Sequence, residues 1–152
     1  MEKNVARESL DRFLGAQSTV YSAVRAELAA GAKTSHWMWF VFPQLKGLGQ
    51  SPTAIHFGLA SLEEAQAYWQ HPVLGQRLRE CTELVLAVEA KSALDIFGAI
   101  DAMKFRSCMT LFGECVPGER LFGNALSRFY SGAPDERTLA LLASSAGRAS
   151  RG

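Results

Sequence analysis

The chain has 152 residues, 48% of them hydrophobic and 20% charged, with a formal net charge of +1. This is ordinary globular composition, sufficient for one domain that folds without cross-links, since a chain of this size removes about 70% of its unfolded surface from water. There is no apolar run of bilayer length, no charged-then-apolar leader and no cluster of basic residues, so a soluble, cytoplasmic protein is expected, with no membrane and no nucleic-acid partner.

Along the chain, Leu10, Phe13, Leu14, Tyr21, Val24 and Leu28 recur at three- and four-residue intervals. They predict one long amphipathic helix that ends near Gly31. Gln17 falls on the same stripe, where an amide must find partners, so it is either a bridge between helices or a pocket residue. Trp37 to Phe42 is apolar on every face and reads as a short buried helix, stopped because Pro43 pushes Phe42 out of the helical region. Gln44 to Gln50 is a loop in which Gly47 and Gly49 allow positive φ.

Ser51-Pro52 is an N-cap followed by proline at the first helical position, and Ser61 to Glu64 has the form of a capping box. His71-Pro72 is expected to open the next helix in the same way. Its core face is Leu74, Leu78, Cys81, Val85 and Val88, with Arg79 and Glu83 on the wet side.

Residues 93–114 are helical but interrupted. Phe97, Ile100, Cys108 and Leu111 share a stripe that also contains Lys104, whose nearest candidate partner is Asp101. Val116-Pro117-Gly118 is a turn. Leu121, Phe122, Ala125, Leu126 and Phe129 make a further helix closed by Gly132, and Pro134 to Glu136 opens the last one. The sum is an all-α, single compact multihelical domain of about seven or eight short helices over residues 1–145. Residues 146–152, with Arg148 and Arg151, form a flexible basic tail.

Cys81, Cys108 and Cys115 are odd in number and form no C-x-x-C pair, which predicts free buried thiols. Gly47-Leu-Gly49 lacks the third glycine of a dinucleotide fingerprint, and no Walker loop or nucleophile elbow occurs. His36, His56 and His71 lack the spacing of a helical zinc pair, so neither a metal nor a cofactor is expected. What remains is a set of polar residues in apolar surroundings: Gln17, His36, Gln44, Lys46, Asp101, Lys104 and Ser107. Pockets for small molecules are built in this manner, and so are bridges between helices.

The runs GAKTSHWMWFVFPQLKGLGQS, SLEEAQAYWQHPVLGQRLREC and IFGAIDAMKFRSCMTLF, with FYSGAPDERTLALL near the end, resemble a small bacterial family, domain of unknown function 1810, often labelled calpastatin. The resemblance covers roughly Phe13 to Leu142. It implies one multihelical domain and brings no established activity. Phe57 stands where the pattern tends to have tyrosine, and Cys108 replaces the second serine of its SSMTLF block. The calpastatin label does not suit the chain physically: that inhibitor resembles a disordered polar polypeptide, whereas this sequence is patterned to bury a core. A fainter likeness, in the C-terminal rhythm, is to N-glycosidases acting on ADP-ribose and riboflavin-pathway intermediates. Their glutamate beside the histidine is absent here, because Ser35 precedes His36.

Two functions follow as expectations. The first is a small-molecule pocket for a flat or anionic, nucleotide-like ligand. Trp37 and Trp39 would be its walls, Lys46 and Lys104 its charge, His36 a proton exchanger, and Gln17, Gln44 and Ser107 its orienting groups. Whether a reaction follows binding is left open. The second is a non-enzymatic protein-interaction or homo-oligomerisation module, in which the aromatics form an exposed patch for a protein partner or a homodimer.

Overall fold

The computed structural model describes the backbone of residues 2–151 and the side chains of residues 10–144. The tail expected over 146–152 lies outside the residues whose side chains are described. Among the described residues ten helices are present: α1 (Glu2–Ser18), α2 (Tyr21–Ala29), α3 (Met38–Val41), α4 (Pro52–Phe57), α5 (Leu62–Gln70), α6 (Leu74–Ala87), α7 (Ala93–Phe97), α8 (Ala99–Cys115), α9 (Leu121–Tyr130) and α10 (Glu136–Arg151). Among the described residues the only extended pairing is an isolated parallel bridge between Leu45 and Leu59. The class is all-α, with ten helices among the described residues where seven or eight were expected.

Two breaks account for most of the difference. The long first helix is in fact α1 and α2, separated at Thr19 and Val20. The Ser18 hydroxyl donates back to the Leu14 carbonyl at 2.7 Å, a bond that competes with helix continuation. The apolar stripe runs through the break because α2 restarts with nearly the same face inward. The second break is Gly98, whose φ of +83° ends α7 and starts α8 on a new axis. The stripe expected from Phe97 through Ile100 is therefore broken: Phe97 is buried and Ile100 is 71% exposed.

Other boundaries follow local chemistry. Ser51 accepts from the Ala54 N–H with Pro52 at the first position of α4. Ser61 accepts from the Glu64 N–H, while the Glu64 carboxylate takes the N–H of Ala60 at 2.8 Å, one residue before the reciprocal partner of a full capping box. The full box is at Ser92 and Asp95. His71 and Pro72 form a turn rather than a first helical turn, with His71 Nδ1 accepting from Val73 and Leu74 before α6 begins. Asp135 caps α10 through the Thr138 N–H at 2.9 Å.

The core is centred on α8, which buries Phe105, Cys108, Met109, Leu111 and Phe112 and packs against α5, α7 and α9, while α2 lies on α6. Gly75 makes the α5–α6 corner possible, because a Cβ there would sit 1.9 Å from the Trp69 carbonyl oxygen. All three cysteines are free and buried. No helix among the described residues is long and apolar enough to cross a membrane.

Candidate functional site

The aromatic run divides its rings between the core and the surface. Phe42 is wholly buried and meets Phe105 edge-on at 4.9 Å, and Phe105 stacks on Phe97 at the same distance. Trp37 is 1% exposed and packs on Phe42. Trp39 and Phe40 remain partly exposed on the other side of α3. Phe40 joins Phe57 at 5.3 Å. Trp39 faces a hollow.

That hollow, about 490 Å³, lies between the 33–39 segment and the α7–α8 junction. Its polar lining is Lys33, His36, Asp101 and Lys104, and its apolar lining includes Met38, Trp39, Phe97 and Ile100. The volume falls in the range of small-molecule sites, as does the mixture of aromatic wall and few polar groups. The start of α8 also faces it, and no side chain caps that helix. The positive end of the α8 dipole is thus directed at the hollow.

The wall formed by residues 33–39 is set by a chain of local contacts. Gly31 ends α2 with φ of +70°, where a Cβ would also press on Val88 at 2.9 Å. The Lys33 N–H then donates to the Ile96 carbonyl at 2.8 Å, docking the segment on α7. Glu27, near the end of α2, gathers the Thr34 N–H (2.7 Å), the Ser35 N–H (3.0 Å), the Ser35 hydroxyl (2.5 Å) and the Trp37 indole N–H (3.0 Å). Burial by itself would raise the Glu27 pKa, but these four donors outweigh it and hold the carboxyl down at about 2.

Across the hollow, Asp101 stands between two ammonium groups. Its Oδ2 is 2.7 Å from Lys33 Nζ and its Oδ1 is 3.7 Å from Lys104 Nζ. The Lys33 ammonium also donates to the Ser35 carbonyl at 2.6 Å. Lys104 Nζ lies 4.6 Å from the centre of the Trp39 ring, a cation–π contact. With two lysines against one carboxylate, the lining carries a net positive charge before any contribution from His36.

The structure therefore brings together four of the residues singled out by sequence: His36, Trp39, Asp101 and Lys104. The others lie elsewhere. Gln17 is buried, where its amide donates to the Phe40 carbonyl (2.7 Å) and the Tyr68 hydroxyl (3.1 Å) and accepts from Arg77 (3.1 Å), a bridge between helices. Trp37 turns its indole N–H to Glu27 and does not line the hollow. Ser107 is buried and donates to the Met103 carbonyl at 3.1 Å. Gln44 and Lys46 sit beside the Leu45–Leu59 bridge, with the Lys46 N–H on the Leu59 carbonyl at 2.7 Å. Lys33, which sequence reading passed over, is the additional polar residue. Its only local signal was its place just after the glycine that stops α2, since its partner Asp101 is distant in the chain.

Two other depressions run along α6. One is lined by Tyr21, Val73, Gln76, Arg77 and Glu80, the other by Gln76, Arg79, Glu80, Glu83 and Leu84. Two of their charges are already paired: Glu80 takes the Tyr21 hydroxyl (2.6 Å) and Arg25 (3.1 Å), and Arg79 meets Glu119 at 2.7 Å. Among these lining residues Tyr21 is the one aromatic ring, and its hydroxyl is spent on Glu80. Among the described residues, no three His, Cys, Asp or Glu side chains gather where a metal ion could be held.

The family model described as "Protein of unknown function (DUF1810)" matches residues 7–142. The chain belongs to this family. Among solved structures it is similar to the conserved hypothetical protein Rv1873 from Mycobacterium tuberculosis, with 54% identity over 88% of this chain and 96% of the other and a TM-score of 0.87. No curated protein matches it. Of the two residues expected to differ from the family pattern, Phe57 is half-buried between Phe13 and Phe40, and Cys108 is wholly buried. Neither lines the hollow.

Proposed function

We propose that this member of the DUF1810 family binds a small anionic molecule, of the size of a nucleotide fragment, in the hollow between the 33–39 segment and the start of α8. The observation that carries this reading is the convergence of Lys33, Lys104, His36 and Trp39 on one solvent-reachable space of about 490 Å³. The charge balance and the uncapped start of α8 favour an anion. Trp39, Met38 and Phe97 supply an apolar surface for the rest of the ligand. His36 is exposed at the rim, where its ring nitrogens can hydrogen-bond a ligand.

The test is a thermal-shift screen of nucleotides and sugar phosphates, followed by titration of each hit against His36→Ala and Lys104→Ala. Hits that bind both variants as tightly as wild type would show that the ligand sits elsewhere. A second reading, an interaction or homo-oligomerisation module, is favoured by one observation. Ile100 and Met103, a turn apart on α8, are 71% and 70% exposed, and Leu94 on the neighbouring α7 is 60% exposed. Light scattering separates the two: a monomer with ligand-dependent stability supports the pocket, and a dimer dispersed by Met103→Lys supports the module.

A further inference from the structure

The ion pairs of Asp101 are unequal, and the inequality bears on which anions the hollow would accept. Lys33 is committed internally: its ammonium meets Oδ2 at 2.7 Å and the Ser35 carbonyl at 2.6 Å, lies 5.0 Å from the centre of the Trp37 ring, and sits on a side chain only 7% exposed. Lys104 is held loosely. Its ammonium is 3.7 Å from Oδ1, beyond hydrogen-bond distance, so among the described residues it keeps N–H donors to spare. Oδ1 of Asp101 correspondingly keeps acceptor capacity on the hollow side.

We infer that the hollow selects a small hydroxylated anion, one that brings a negative group to Lys104 and a hydroxyl donor to Oδ1 of Asp101. The inference rests on the pocket reading and specifies its ligand class. A bare anion drawn to Lys104 comes within reach of the Asp101 carboxylate and is repelled by it. A ligand ammonium meets two lysines that already share that carboxylate. A hydroxyl on the anion itself offsets the carboxylate's repulsion by donating to the acceptor that Oδ1 keeps. The carbon skeleton joining the two groups lies against Trp39 and Ile100.

The experiment titrates wild type with five probes at constant ionic strength, followed by calorimetry and by amide shifts. Ribose 5-phosphate and gluconate are hydroxylated anions of two kinds, methyl phosphate (as its dianion, at pH 8) and hexanoate are their counterparts of like charge without hydroxyls, and ribose lacks the charge. At least one hydroxylated anion is expected to bind about tenfold or more tightly than its bare counterpart and than ribose. Asp101→Asn is expected to shrink that preference to within about twofold, by strengthening the bare anion through loss of the carboxylate's negative charge. Lys104→Gln leaves the Lys33–Asp101 pair in place and is expected to abolish binding of both hydroxylated anions; it carries the test if Asp101→Asn does not fold. Bare anions that bind wild type as tightly as hydroxylated ones, an unchanged preference in folded Asp101→Asn, or hydroxylated anions that still bind Lys104→Gln would overturn the inference. Bare-anion binding that disappears in Lys104→Gln would leave the pocket standing without the selectivity, whereas silence of all five probes would remove both.

Discussion

Lys104 on α8 places its ammonium 4.6 Å from the centre of the Trp39 ring on α3, so the one tryptophan of the aromatic run that faces the hollow is paired with its loosely held cation. At a partly exposed site this contact contributes about 0.5–1 kcal/mol to folding. Lys104→Ala is therefore expected to change stability by no more than about 1 kcal/mol in urea while weakening an anionic ligand about tenfold or more. A loss of stability above that, with no change in binding, would make Lys104 structural.

Gln17 is the opposite case, a polar residue whose groups are all spent inside the fold. Replacing it with leucine removes three hydrogen bonds, leaves the Tyr68 hydroxyl and the Phe40 carbonyl only their long 3.5 Å bond to each other, and frees one Arg77 donor. Each buried unpaired group costs about 1–3 kcal/mol, so a loss of about 3 kcal/mol is expected from denaturant unfolding, with ligand binding unchanged. A variant as stable as wild type would mean that water reaches these groups.

How much of this was legible in the sequence depended on the range of the interaction. Ser51-Pro52, Pro43 and Asp135 act within a turn of themselves, and their signals predicted boundaries that the structure has. The break at Thr19–Val20 was hidden because the apolar stripe continues across it; an interruption within 93–114 was legible, but not its place at Gly98, because Phe97 and Ile100 keep helical spacing although they lie on different axes. For the candidate site, His36, Trp39, Asp101 and Lys104 were visible as polar or amphipathic residues in apolar company. Lys33 was not, since only the fold brings it to Asp101. Gln17, Trp37 and Ser107 carry the same local signature as pocket residues, and burial with satisfied partners is a three-dimensional property.

Glu27 makes the 33–39 wall sensitive to acid. Its carboxyl, held down at about 2 in the folded chain against an ordinary value of 4.5, contributes stability that is fully present above the ordinary value. That contribution is lost as pH falls from about 4.5 towards 2. Discounted for solvent screening, it is about 1 kcal/mol. Glu27→Gln is expected to be less stable than wild type at pH 7 and to converge with it in that acid window. A gap that stays constant with pH would mean that the charge on Glu27 does not matter.

The thiols should be inert in the folded protein. Burial pushes Cys81 up to about 12 and Cys115 to about 11, and it raises Cys108 well above its ordinary value. Since the thiolate is the reactive form, labelling with a disulfide reagent at neutral pH should proceed only at the rate of opening and become complete in denaturant. A thiol that reacts at once under native conditions would contradict the burial.

Gly75 is expected to admit no side chain. A Cβ at 1.9 Å from the Trp69 carbonyl oxygen meets backbone, which cannot swing away as a side chain does. Gly75→Ala should cost about 3 kcal/mol or more, roughly a 10 °C fall in Tm if soluble protein is obtained at all. A Tm within about 2 °C of wild type would show that the α5–α6 corner can open.

The most direct test of the hollow as a binding site is an amide chemical-shift map recorded while ribose 5-phosphate is added to the intact chain. The indole N–H of Trp39 and the amides of His36, Gly98, Ala99 and Ile100 should move together and saturate, while those of Gln76, Glu80 and Glu83 along α6 stay still. Saturating shifts centred on α6, with Trp39 and Gly98 unmoved, would contradict it.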